Sequence, residues 1–151
     1  MSLRERFTQS MKDSMKAGDK ARLGAIRLIQ ATLKDRDIEA RGSGKEVSDD
    51  DILAMLQKMV KSRQESLAMY EQAGREDLAA QERGEIVVIQ DFLPAQMSDD
   101  DVKAAIAAAI AETGAAAMKD MGKVVAVLKG KFTGQMDFAK ASALVKAALN
   151  G

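Results

Sequence analysis

The sequence predicts an all-α protein. Apolar residues recur at three- and four-residue intervals along most of the 151 residues, which is the spacing of one face of an α-helix. Aromatic residues make up only 3% of the chain, whereas methionine and alanine are frequent, and this composition favours packed helices over strands. The single proline, Pro94, interrupts the helical pattern. We therefore expect an N-terminal bundle of about four helices (residues 1–94), a short proline-containing hinge, and a C-terminal three-helix bundle (residues 95–151).

The first two helices are predicted on either side of Gly18, a residue type that ends helices readily. Asp19 can cap the second helix, which we expect to run from Lys20 to about Ala40. Gly24 lies within it and weakens it by about 1 kcal/mol, so we expect another helix to approach closely there. The inner faces of the two helices are predicted to carry Leu3, Phe7, Met11, Met15, Ile26, Ile29 and Leu33.

The third and fourth helices are predicted to meet at Gly74. Ser48 can cap the third helix, which should extend from Asp49 to Gln72. Its apolar face also carries Arg63, and a charged group on such a face requires a partner. We expect that partner to be Glu82 or Glu85 of the fourth helix, which should cover about residues 75–92. The β-branched run at residues 86–89 also fits a buried strand, but no second strand is available to pair with it.

The C-terminal part contains three shorter helical patterns. Ser98 can cap the first, and Gly114 can end it. The second should begin at Met121 and stop near Gly130, and the third should follow Asp137. Their predicted inner residues are Val102, Ile106, Ile110, Met121, Val124, Val125, Leu128, Phe138, Ala141, Val145 and Leu149.

The composition excludes several kinds of active site. Cysteine and histidine are both absent, so the chain has no thiol nucleophile, no disulfide and no imidazole base or metal ligand. Neither a signal sequence nor an apolar run of about 18 residues is visible, and we therefore expect a cytoplasmic protein of bacterial type with no membrane contact. The acidic triplets at residues 49–51 and 99–101 lie at helix starts, where capping explains them without a metal. No cofactor is expected.

The charges are unevenly distributed although they sum to zero. Residues 1–41 contain ten Lys or Arg against six Asp or Glu, a balance of +4. The second helix repeats a cation every seven residues, at Lys20, Arg27, Lys34 and Arg41. Seven residues are nearly two helical turns, so the four cations form a gently drifting line that is suited to a phosphate backbone. A solvated helix face has the same appearance, and that interpretation stays open.

A second candidate anion site lies at residues 118–124, MKDMGKV. Asp120 can cap the helix that follows, and Gly122 leaves space beside its first turn. Lys119 and Lys123 flank this helix start, whose free N–H groups attract anions. The alternative is an ordinary helix start with two solvated lysines.

With these segments in place, the chain resembles the GatB/YqeY family. The resemblance covers nearly the whole chain, and its most specific segments are AGREDL at residues 73–78 and KDMGKV at residues 119–124. Further matching positions are Arg63, Ser66, Tyr70, Glu82, Glu85, Leu93, Pro94, Gln96, Ser98, Gly114, Ala115, Met118, Gly134, Val145 and Lys146.

The resemblance implies a helical protein similar to the C-terminal tail of the B subunit of glutamine-dependent tRNA amidotransferase. That tail contacts tRNA, so tRNA is the expected partner and the expected function is a non-catalytic tRNA-binding accessory protein. The expected contacts are Lys119, Lys123 and Gly122, helped by Arg75 and by Lys20, Arg27 and Lys34. Two alternatives stay open: a protein-interaction module docking to a tRNA-modifying enzyme, and a carbon–nitrogen ligase with glutamine as amide donor.

Overall fold

The computed structural model describes residues 1–150, which form seven α-helices, one short 3₁₀ turn and no strand. The all-α prediction is therefore confirmed. The described chain divides into two compact units, of which the first is Met1–Leu93 and the second begins at Pro94. The sequence placed this boundary after Pro94.

The first unit opens with α1 (Leu3–Ala17) and α2 (Lys20–Gly42). Gly18 separates them with a φ of 68°, a left-handed conformation that glycine adopts without a Cβ clash. The Asp19 carboxylate accepts a hydrogen bond from the Arg22 amide and caps α2 as predicted. α1 and α2 pack against each other as a helical hairpin.

A second hairpin consists of α3 (Asp49–Gln72) and α4 (Glu76–Gln90). The Ser48 hydroxyl accepts from the Asp51 amide, and the Asp51 carboxylate accepts from the Ser48 amide, which completes a capping box. Residues 86–89 are helical, as predicted. α4 packs along α3 and also contacts α2, so this helix joins the two hairpins.

The core of the first unit lies between these four helices. Phe7 of α1 meets Phe92, just beyond α4, edge to face at 4.9 Å between ring centroids. The Arg6 guanidinium lies 5.4 Å from the Phe92 ring centroid and closes this end of the core. The other buried apolar residues of this core are Leu3, Ala25, Ile26, Ile29, Leu33, Ile52, Met55, Leu56, Val60, Ile86, Val88 and Ile89.

The second unit contains α5 (Asp99–Thr113), α6 (Met121–Phe132) and α7 (Phe138–Asn150). The Ser98 hydroxyl caps α5 by accepting from the Asp101 amide, and Gly114 ends it at a φ of 66°. The segment before α5 is held by the Met97 amide, which donates to the Gln135 carbonyl at 2.9 Å. The buried core residues are Val102, Ile106, Ala109, Val124, Leu128, Met136, Ala141 and Val145.

Three local expectations were wrong. Met15, predicted on the inner face of α1, is 55% exposed. Gly24 is exposed, and a Cβ placed on it would meet nothing within 4 Å, so no helix approaches there. Asp120 does not cap α6, because it already has helical backbone angles and its carboxylate bonds to residues behind it. The end of α6 at Phe132 agrees with the predicted stop near Gly130.

Candidate nucleic-acid interface

The cations of α2 lie on its solvent-facing side. We call Lys20, Arg27, Lys34 and Arg41 the α2 basic ridge; all four are exposed. The buried residues of α2 occupy the opposite face of the helix. At a rise of about 1.5 Å per residue, the ridge is about 32 Å long, with successive cations about 10 Å apart.

Small or aliphatic side chains separate the ridge cations. Gly24, Ala31 and Ile38 alternate with them at four- and three-residue steps and are also exposed. Because Gly24 and Ala31 have no side chain or a short one, the helix surface between the charges is recessed at these two positions. Sequence reasoning missed this pattern, although the alternation of four- and three-residue steps was visible in the sequence.

Three of the ridge cations have no internal partner. Within residues 1–150, no carboxylate oxygen lies within 4.0 Å of the side-chain nitrogens of Lys20, Arg27 or Lys34. Other cations nearby are paired: Arg4 contacts Asp37 at 2.7 Å. That bond holds the pKa of Asp37 below its usual value, and Arg41 adds a smaller electrostatic effect in the same direction.

Arg75 lies away from the ridge, at the turn between α3 and α4. It directly precedes α4 and forms an ion pair with Asp77 at 3.1 Å. The pair raises the pKa of Arg75 and lowers that of Asp77, chiefly through the shared hydrogen bonds. Arg75 therefore has an internal counter-ion, Asp77 of α4, which the three unpaired ridge cations lack.

The structure brings Lys119, Gly122 and Lys123 together around the start of α6. A 3₁₀ turn, Met118–Asp120, leads directly into the helix. The Asp120 carboxylate accepts from the amides of Ala116 and Ala117 at 3.1 and 3.3 Å, and these bonds lower its pKa. Two amides that precede the turn are therefore occupied by an internal anion.

The two lysines keep their charges exposed at this place. Lys123 Nζ lies 3.9 Å from an Asp120 oxygen, at the limit of an ion pair, and 73% of its side chain is exposed. Gly122 is exposed and has open space where a Cβ would lie. An external anion here would meet lysine side chains rather than the amides that Asp120 occupies.

Arg63 forms the most enclosed charge cluster of the first unit. Its guanidinium donates to Glu82 at 3.3 Å and to Glu85 at a shorter distance, as the sequence predicted. Each of the three side chains is at most 20% exposed. Arg63 Nε is buried and has no hydrogen-bond partner within residues 1–150. The cluster ties α3 to α4.

Residues 1–150 contain neither a membrane-spanning helix nor a cluster of metal-ligating side chains. No helix in this range combines the length and apolar character needed to cross a bilayer. No three carboxylates in this range converge as metal ligands would. The first carboxylate triplet instead supplies the capping box of α3 described above.

Comparison with known proteins identifies the family. The family model described as "Yqey-like protein" matches residues 4–149. A relative from Pyrenophora tritici-repentis, named altered inheritance of mitochondria protein 41, mitochondrial, is 30% identical over 133 residues, covering 83% of this chain and 71% of its own. The protein of the same name from Vanderwaltozyma polyspora is 28% identical over 85 residues, covering 56% of this chain and 45% of its own. The chain belongs to the YqeY-like family, whose domain is related to the tail of the tRNA amidotransferase B subunit.

Proposed function

We propose that this protein binds tRNA through phosphate contacts made by the α2 basic ridge, and that it performs no bond chemistry itself. The observation that carries the proposal is the exposure of three aligned cations without internal partners. An exposed cation that lacks a carboxylate neighbour keeps its full attraction for an external phosphate.

The form of the ridge favours contact with a nucleic-acid backbone. Its cations are spaced about 10 Å apart along α2, and Gly24 and Ala31 leave room between them for a sugar–phosphate chain. Aromatic residues, on which bases stack, are 3% of the chain. Recognition should therefore depend on shape and phosphate position rather than on base identity.

A second contact is proposed for Lys119 and Lys123 at the start of α6, with Gly122 leaving access to the backbone. The exposed charges of Lys119 and Lys123 carry this contact, with the Asp120 carboxylate beside them. Arg75 is proposed as a peripheral contact, weakened by its pairing with Asp77.

Filter binding with bulk tRNA at about 50 mM salt tests the proposal. Neutralising three ridge cations (K20Q/R27Q/K34Q) should weaken binding by about tenfold or more, because three phosphate contacts are lost. The variant K119Q/K123Q should weaken it less. The matched control K103Q/K140Q/K146Q removes the same charge from exposed lysines of α5 and α7.

The control separates a specific surface from net charge alone. Equal losses for the ridge variant and the control would show that the ridge has no special role. Absence of saturable tRNA binding by the unmodified protein at low salt would contradict the proposed function altogether.

An amidotransferase reaction is the catalytic alternative. The chain has no cysteine or histidine to act as nucleophile or base, so we expect no amidated product from glutamine, ATP and mischarged tRNA. Formation of that product would replace the binding proposal with an enzymatic one.

The proposed location is the cytoplasm. Two relatives carry the word mitochondrial in their names, so the alternative location is the mitochondrion. Imaging of the tagged protein in its own cells distinguishes the two, and an organellar signal would exclude the cytoplasmic proposal.

A further inference from the structure

A trough runs between α2 and α3 in the first unit. It consists of two adjoining cavities of 320 and 440 Å³ that share Arg36, Met55 and Lys58 as lining residues. The trough extends along α3 from Asp51 to Ser66, which is about 22 Å at 1.5 Å per residue. We refer to it as the α2–α3 trough.

The middle of the trough is aliphatic. Leu28 of α2 is 40% exposed and Met59 of α3 is half-buried, and both line the same cavity above Met55, which is buried in the core. The hydroxyls of Thr32 and Ser62 border this strip. Methionine adapts its shape to an incoming apolar surface, so such a strip is suited to receive aliphatic side chains.

Two cations stand where the cavities join. Arg36 from α2 and Lys58 from α3 line both cavities, and within residues 1–150 neither has a carboxylate within 4.0 Å. Glu39, Glu46 and Asp51 also line the larger cavity, but none of them pairs with these two cations. Arg36 and Lys58 therefore favour an occupant that places a carboxylate between them.

The end of the trough beside α4 carries acidic groups. Arg63 and Glu82 line it, and Arg63 is shared by two carboxylates, those of Glu82 and Glu85. One guanidinium against two carboxylates leaves an excess of one negative charge. The positive N-terminus of a bound helix is stabilised near such a charge.

These features favour a peptide over RNA as the occupant. The lining of the two cavities contains four cations and four carboxylates, so it offers no net positive charge to a phosphate chain. No described residue that lines either cavity is aromatic, so bases have nothing to stack on.

We infer that the α2–α3 trough binds an amphipathic helix of a partner protein, a function beyond the proposed RNA binding. The aliphatic residues of the partner helix pack against Leu28 and Met59, and one of its carboxylates lies between Arg36 and Lys58. Eight residues separate Leu28 from Arg36, about 12 Å of helix, so the acidic residue follows the first aliphatic residue at i+8.

Synthetic peptides test the inference. The probe is a helix-forming Ala/Gln peptide of about 15 residues with Leu at i and i+4 and Glu at i+8, and its counterpart has Lys at i+8. Fluorescence anisotropy should show that the Glu peptide binds the full-length protein about tenfold more tightly than the Lys peptide. The variant R36E/K58E should reverse that preference.

Two further variants locate the binding. Leu28→Glu should weaken binding of the Glu peptide by about tenfold, because it places a charge on the aliphatic strip. The ridge variant K20Q/R27Q/K34Q should bind the Glu peptide as tightly as the unmodified protein, which keeps this inference separate from RNA binding by the ridge.

Three results would overturn the inference. One is failure of the Glu peptide to saturate the protein at about 1 mM. A second is equal affinity for the two peptides. The third is displacement of the Glu peptide by bulk tRNA from the unmodified protein and the ridge variant alike, which would make the trough an RNA surface.

Discussion

At the scale of single residues, Arg63 shows how the fold fixes the position of a charge. Its side chain is 16% exposed and lies between helices, where an unpaired guanidinium would be costly. Glu82 and Glu85 come from two positions of α4 and share it. The pairing could be foreseen because one cation interrupted an apolar stripe and two acids faced it from the next helix.

The first prediction concerns removal of this cation. Arg63→Met should lower the free energy of unfolding by about 3 kcal/mol, because two mostly covered carboxylates lose their common partner. Urea unfolding followed by circular dichroism measures the change. Arg63→Lys should cost less, since it keeps the charge but lacks the planar fork that reaches both acids.

A matched variant separates pairing from packing. The triple change R63M/E82Q/E85Q removes all three charges and should regain most of the lost stability. If it is no more stable than Arg63→Met, the loss comes from side-chain packing, and the ion-pair interpretation of this cluster is wrong.

Asp120 shows where single-residue reasoning fails. An aspartate before an apolar helical pattern normally caps that helix, and the sequence supported this expectation. A 3₁₀ turn already occupies residues 118–120, and the carboxylate turns back to Ala116 and Ala117. Three-residue turns of this kind have no periodicity in sequence, so their effect on a neighbouring cap could not be predicted.

At the scale of elements, α2 determines the candidate site. The seven-residue spacing of its cations could be read from the sequence. Its inner face was predictable as well, because apolar residues at helical intervals define one buried face. Gly24 was misread, since a glycine within a helix is compatible both with close packing and with an open surface. The α2–α3 trough was not predictable, because it depends on how far apart two helices lie, which no residue pattern encodes.

The second prediction follows from the open surface at Gly24. Gly24→Ala should raise the free energy of unfolding by about 0.5–1 kcal/mol, because alanine favours the helix and meets no neighbour. Thermal unfolding measures it. The control Gly114→Ala should instead destabilise, because Gly114 has a φ of 66°. Destabilisation by Gly24→Ala would mean that the helix is tightly covered there.

At the scale of the whole molecule, the titratable groups predict how the free energy of unfolding depends on pH. The chain has no histidine, and the pKa values of Asp37, Asp51 and Asp120 are lowered in the folded state by hydrogen bonds. A carboxylate with a lowered folded pKa adds stability above its unfolded pKa, near 4, and that stability disappears as the pH falls through the folded pKa.

The third prediction is therefore a plateau followed by an acid-side fall. The free energy of unfolding should stay nearly constant between about pH 6 and pH 8 and decrease below about pH 4. Asp37→Asn should reduce the size of that decrease, because the charge-assisted bond to Arg4 is removed at all pH values. Denaturant titrations at several pH values measure both effects.

The control for this prediction is Asp35→Asn, since Asp35 is exposed in the interior of α2 and has no hydrogen bond or ion pair within residues 1–150. It should leave the profile unchanged. Two results would contradict the claim that these carboxylates cause the loss of stability in acid. One is a free energy of unfolding that increases on acidification, and the other is an Asp37→Asn profile identical to that of the unmodified protein.

The central claim is that the exposed cations of α2 bind RNA phosphates, and the salt dependence of tRNA affinity tests it most directly. The logarithm of the binding constant should fall linearly with the logarithm of salt concentration, and K20Q/R27Q/K34Q should flatten the slope by about 0.9 for each lost duplex-phosphate contact. The control K103Q/K140Q/K146Q should keep the slope of the unmodified protein. An unchanged slope in the ridge variant would contradict the claim.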